Sequence, residues 1–264
     1  MIMIESELII RVGSFISILC FFAIAEELYP RRKLKLSKKS RWYRNFSLVI
    51  INSLILRFLL PISAASVALI ENEYAILNYL QLPKFVSIIL CIILLDMIIY
   101  FQHRVFHMVP FFWKFHKIHH IDQELDTSSG IRFHPVEIIF SMLIKCLVVL
   151  VVGVPFEAVV MFEIILNASS LFNHANINLS SKMDTMLRRL IVTPDMHRIH
   201  HSVLKNETNS NYGFNLSCWD RVFGTYKYSA TKSQVQIDIG LNEYQDYKKT
   251  GLLAILTIPF RRNN

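Results

Sequence analysis

The chain has 264 residues, 53% hydrophobic and 18% charged, with 7 glycines and a formal charge of +8. That is too apolar for an ordinary soluble enzyme and directs the reading to a membrane protein with one domain over 1–264. Cys20, Cys91, Cys146 and Cys218 are widely separated, three of them in apolar runs, which excludes a disulfide framework and a CxxC metal pair.

The first apolar segment, 8–29, follows Glu5 and Glu7 with no basic stretch before it, so it is expected to stay in the protein as a helix rather than be cleaved as a signal. Next comes the main concentration of positive charge, with Arg31, Arg32, Lys33, Lys35, Lys38, Lys39, Arg41 and Arg44 between 31 and 44. Such a run suits nucleic acid or an anionic membrane face. Its place between two apolar segments, and the lack of a nucleic-acid reader motif, select the membrane and a cytoplasmic loop. A second span is predicted over 46–70, with Arg57 as an unexplained charge within it, and a third over 85–101. The 71–83 connection carries Glu71 and Glu73 and no Lys or Arg, as an outer loop should. Apolar stretches at 137–152 and 156–172, separated by Gly153, Val154 and Pro155, predict a helical hairpin. Residues 206–211 read as a loop, and 251–260 is too short to span and suits the membrane interface. The expected fold is an all-α membrane bundle of about three spans plus the hairpin, under a cytoplasmic helical cap.

All ten histidines lie between His103 and His201, and their spacing is informative: HRVFH at 103–107, HKIHH at 116–120, single His134 and His174, and HRIHH at 197–201. Residues three and four apart share a helix face, so each element should present its imidazoles toward one point. Four imidazoles saturate one zinc, so eight or nine imply two metal ions, and two irons with open positions can reductively cleave O2 where zinc offers no redox chemistry. The proposed ligands are His103, His107, His116, His119, His120, His197, His200 and His201, with His174 added because it ends the hairpin at the same face. Asp96, Tyr100, His103 and His107 form one stripe, Asp96 about 10 Å below His103. Glu163, Asn167 and His174 form another. The stripes admit two readings: groups that orient imidazoles or line a substrate passage, and polar contacts that join helices.

The motifs DMIIYFQHRVFH, WKFHKIHH, DTSSGIRFHPVE, FNHANI, PDMHRIHHS and NYGFNLSCWDRVFGTY, in that order over 96–226, resemble the fatty acid hydroxylase and sterol desaturase superfamily. The resemblance implies two irons, O2 as co-substrate and a lipid substrate that is hydroxylated or desaturated. It also implies an external electron-transfer protein, since no donor domain is recognisable here. It matches the eight box histidines and His174, and puts His134 in an RxHPxE motif beside Arg132 and Glu137, which are expected to pair. Asp195 and Asp220 are expected near the ligands, and Gly213 in a tight turn. Asn178 stands where fatty acid 2-hydroxylases complete an HxxxH element with His174. That makes the sterol desaturase-like or alkylglycerol monooxygenase-like branch the closer resemblance. Two other classes make different demands. A histidine-rich metal-binding or transport protein would carry polar residues through the full membrane depth, and an inactive lipid-binding relative would have lost box histidines.

Overall fold

The computed structural model describes residues 2–261, excepting the side chains of 2–6, 248 and 249. The chain is all-α, its helices being α1 Ile2–Leu28, α2 Lys38–Leu59, α3 Ala64–Val67, α4 Ile76–Leu80, α5 Lys84–Met108, α6 Pro110–His120, α7 Pro135–Val152, α8 Phe156–His174, α9 Ser181–Leu187, α10 Pro194–His200, α11 Lys205–Thr208, α12 Cys218–Val222 and α13 Leu252–Thr257. Among the described residues, five helical stretches are long and apolar enough to cross a membrane: Glu7–Leu28, Lys38–Val67, Lys84–Met108, Pro135–Val152 and Phe156–His174. Leucine, isoleucine and phenylalanine cover their outer faces, with Ile9, Phe21, Phe58 and Phe85 among the exposed residues, as a hydrocarbon solvent requires.

The second segment breaks earlier than its hydropathy predicts. Pro61 disfavours helix at the residue before it, and Leu60 leaves helical geometry at φ −136°. The following turn, α3, buries Ala64, Ala65 and Val67 against Leu95 of α5, Val149 of α7 and Val159 of α8, closing the half of the bundle away from the histidines with apolar side chains. At the hairpin tip Gly153 has φ +75°, and a Cβ there would lie 2.6 Å from that of Ala75, so both backbone and space require glycine. The third helix runs beyond the predicted 101 to Met108, carrying His103 and His107 within it. Pro110 then opens α6 at its first turn.

The basic segment is woven into the cap. Arg31 pairs with Asp195 at 2.8 Å. Fully buried Arg41 pairs with Asp122 at 2.9 Å and Asp126 at 2.5 Å. Its guanidinium also donates to the Glu124 carbonyl and Ser129 Oγ. Burial opposes the charge on Asp122, but the Arg41 and Arg132 guanidiniums outweigh it and hold its carboxyl at about 2. The basic segment and the histidines therefore share one end of the molecule. Exposed Arg57, near the end of α2, lies toward the opposite end. Residues 205–208 form one helical turn rather than a loop, and α13 buries Ile255 beside Leu48 and Ile118 while leaving Leu253 exposed.

Candidate metal centre

Nine of the ten histidines converge in two groups. Nitrogens of His103, His107, His116, His120 and His200 lie within 4.8 Å of one another, as do those of His119, His174, His197 and His201. The groups adjoin, with the His120 and His201 rings stacked at 4.4 Å. Each HxxHH element is divided between the groups, contrary to the expectation that it faces one point. At about 100° per residue, i and i+4 sit about 40° apart, whereas i+3 falls about 60° to the other side. Thus His116 and His120 share one group while His119 enters the other, and His197 and His201 share one while His200 enters the other. Both short helices contribute to both groups.

The tautomers are set from outside. His103 Nδ1–H donates to the Tyr212 carbonyl at 2.8 Å, His200 to Ser210 at 2.8 Å, His119 to Arg132 at 3.2 Å and His174 to Ser170 at 2.7 Å. His116 Nδ1–H donates to Glu137 Oε1 at 2.7 Å. Carbonyls and carboxylates only accept, so each of these five rings points its Nδ1 proton outward and turns Nε2 inward. Burial, with the neighbouring imidazoles, holds His119, His120, His197 and His201 well below the usual histidine range. Burial pulls His200 down to about 3. These rings are neutral at pH 7.

This arrangement tests whether a cation fits. Nε2 of His119 and His174 face each other at 3.0 Å, and the series of facing Nε2 atoms continues to His197 at 3.1 Å and His201 at 3.2 Å. Facing lone pairs repel, whereas nitrogens so spaced match neighbouring ligands around one ion held at about 2.0–2.1 Å. In the other group Nε2 of His103, His116 and His200 and both nitrogens of His107 and His120 are buried without a hydrogen-bond partner. The residues present fit two cations bound by imidazole.

The other predicted site residues are placed as follows. His134 joins neither group: its Nε2 lies 3.3 Å from the Leu256 carbonyl and its Nδ1 accepts from Val136 N–H, which caps α7. Arg132 and Glu137 do not pair with each other. The Arg132 guanidinium donates to the Ile118 carbonyl and Asn45, while Glu137 turns to His116. Asp96 accepts from the backbone of Asn215 and Leu216 and from Trp219 Nε1, and the Tyr100 hydroxyl bonds Thr225 Oγ1. Both therefore fasten residues 211–226 to α5. Asp195 pairs with Arg31 and Arg198. Asp220 accepts from the Tyr212 and Gly213 amides at 2.7 and 2.8 Å, fixing the carbonyl that orients His103. A Cβ on Gly213 would meet Asp220 Oδ2 at 2.7 Å, so close approach, not a left-handed turn, demands glycine there. The carbonyls of Tyr212 and Ser210 escaped the sequence reading, because a backbone acceptor leaves no residue-type signal.

Below the groups lies a cavity of about 460 Å³ between α1, α2, α5, α7 and α8. His103, His116 and His119 reach it at one end and Arg11, Lys145 and Glu163 line it further into the bundle. Most of the remaining wall is apolar, including Phe15, Leu56, Phe106 and Leu166.

The ornithine lipid hydroxylase OlsE of Rhizobium tropici is 29% identical over 182 residues, covering 69% of this chain and 53% of that protein. Alkylglycerol monooxygenase of Caenorhabditis elegans is 28% identical over 53% of this chain and 26% of its own length. The Homo sapiens alkylglycerol monooxygenase is 25% identical over 56% of this chain and 32% of its length. The matches thus span about half the length of the first relative and about a quarter to a third of the others. No solved structure matches. The fatty acid hydroxylase family matches residues 88–225, just over half of the sequence and every one of the nine clustered histidines. The chain is a membrane protein of the fatty acid hydroxylase family.

Proposed function

We propose that the chain is a non-haem di-iron oxidoreductase that uses O2 to hydroxylate or desaturate a membrane lipid. The observation that carries this reading is the pair of inward-facing imidazole groups at the mouth of a largely apolar cavity. His103, His107, His116, His120 and His200 would hold one iron, and His119, His174, His197 and His201 the other. Two irons so held supply reductive activation of O2 and removal of hydrogen from an unactivated C–H bond. The protein's own part is positional. Glu137, Tyr212, Ser210, Arg132 and Ser170 fix imidazole orientation through Nδ1, and Asp220 fixes the Tyr212 carbonyl. Asp96 and Tyr100 clamp the covering segment, and the apolar wall aligns an alkyl chain while keeping water away.

The known relatives act on ornithine lipid and alkylglycerol by name, so a lipid with a polar head and long chains is the substrate class we favour. Electrons would come from a separate protein, and the basic segment favours a cytoplasmic position for the histidine end. The apolar packing of Ala64, Leu95, Val149 and Val159 beyond the cavity weighs against a through-membrane metal carrier. Metal analysis of protein purified from iron-supplied cells tests the proposal. We expect two irons per chain and O2-dependent lipid oxidation that His119→Ala and His200→Ala each abolish. One metal or none in folded protein, or unchanged turnover in either variant, would overturn it.

A further inference from the structure

Four charged side chains meet inside the bundle. Lys145 pairs with Glu163 at 2.5 Å, Glu163 with Arg11 at 2.9 Å, and Arg11 with Glu7 at 2.5 Å. Glu163, Glu7 and Lys145 are 3%, 6% and 10% exposed at the side chain. Charges at this depth are costly and by default functional. Three of the four, Arg11, Lys145 and Glu163, line the same cavity as His103, His116 and His119. Lys145 is eight residues beyond Glu137 on α7, and Glu163 eleven before His174 on α8, so the charges lie about 12–16 Å from the histidines along the helices.

The chemistry of a guest follows from two facts. Two cations and two carboxylates sum to zero, so adding a charged group would leave an uncompensated ion in the membrane, whereas a neutral dipolar group would not. The same wall also offers buried acceptors: Asn52 Oδ1 and Gln102 Oε1 have no hydrogen-bond donor, while Glu163 Oε2 meets the Arg11 guanidinium at 2.9 Å. Asn52 Nδ2 donates to the Phe133 carbonyl, which can only accept, so its Oδ1 is the open atom, and Gln102 Nε2 pairs with Ser141 Oγ. A hydroxyl or amide, which both donates and accepts, satisfies the two conditions.

We infer that Lys145, Glu163 and Arg11 form a specificity-determining anchor for an uncharged hydroxyl or amide group on the lipid chain, holding it a fixed distance from the carbon presented to the histidines. This rests on the oxidoreductase reading for its purpose, but it is tested on metal-free full-length protein, where O2 chemistry plays no part. In phosphatidylcholine nanodiscs the retention of methyl stearate is compared with that of positional isomers of methyl hydroxystearate. We expect one narrow range of hydroxyl positions to bind about tenfold tighter than methyl stearate, the scale of a hydrogen bond to a charged group. The charge-balanced double variant Lys145→Met with Glu163→Gln should lose that peak and bind methyl stearate unchanged. Lys145→Arg, which keeps the charge but moves the donor, should shift the preferred position, and it serves where the double variant fails to fold. A flat profile in the unaltered protein overturns the anchor, as does a peak unmoved in a folded double variant or in Lys145→Arg. A positional peak in protein that neither binds iron nor oxidises lipid would instead overturn the oxidoreductase reading alone.

Discussion

Glu137 offers a graded perturbation of one of the two proposed iron positions. Its carboxylate accepts the Nδ1 proton of His116 at 2.7 Å, and no other partner bonds that nitrogen. Glu137→Leu removes the acceptor and leaves a buried N–H unpaired, whereas Glu137→Gln keeps a carbonyl oxygen within reach and removes only the charge. Outer partners of this type are worth about 10–100-fold in metal affinity, or about 1.4–2.7 kcal/mol. Glu137→Leu should therefore weaken the iron held by the five-histidine group by that factor, and Glu137→Gln by a few-fold. Titration of iron-loaded protein with a chelator, followed by metal counting, should show one iron leaving early and the other, held by His119, His174, His197 and His201, leaving at the unaltered concentration. Loss of both irons together, or of neither, would refute the division of the histidines into two separately supported groups.

Arg41→Met leaves Asp122 and Asp126 buried without their cation, which should cost about 3–5 kcal/mol in chemical unfolding. Adding Asp122→Asn and Asp126→Asn should recover part of that loss, and an Arg41→Met protein as stable as the parent would refute the ion-pair reading. Acid should destabilise the metal-free fold: histidines held below their unfolded value bind fewer protons folded than unfolded. Stability is thus full above about pH 6.5 and falls as the pH drops from there toward about 3 for His200, by about 1.4 kcal/mol per unit for each such residue. Asp122, held at about 2, works in a lower window and does not offset the change. Unfolding midpoints at pH 7.5 and 5.5 after chelation check the sign. Finally, His134→Gln should retain two irons per chain and His174→Ala only one, by metal analysis. Equal loss in both would contradict their placement.

The histidines were legible because metal ligands announce themselves by residue type and by spacing within one helical turn. What could not be read was phase and partnership. The HxxHH spacing looks like one convergent triad until helix rotation separates His119 from His120. Arg132 and Glu137, five apart in one motif, invite pairing, yet Arg132 serves Ile118 and Asn45 while Glu137 serves His116. Asp96 resembles a residue facing the metals but accepts from backbone 119 and 120 positions away, which no local pattern encodes. The span ends were blurred for a related reason: hydropathy sees Leu60 and Pro61 as apolar, while backbone sterics stop the helix there.

The burial of Arg41 also bears on how the molecule is made. Asp122 and Asp126 follow it in the chain by 81 and 85 residues. At about 5–20 residues per second the guanidinium waits seconds for its acceptors to be synthesised. During that interval it remains a hydrated cation beside Arg31, Lys38 and Arg44. The side chain thus changes from a solvated charge on a loop to a rivet closed when the cap assembles. A substitution there would be felt only once Asp126 has been made, as a cap that closes without its rivet.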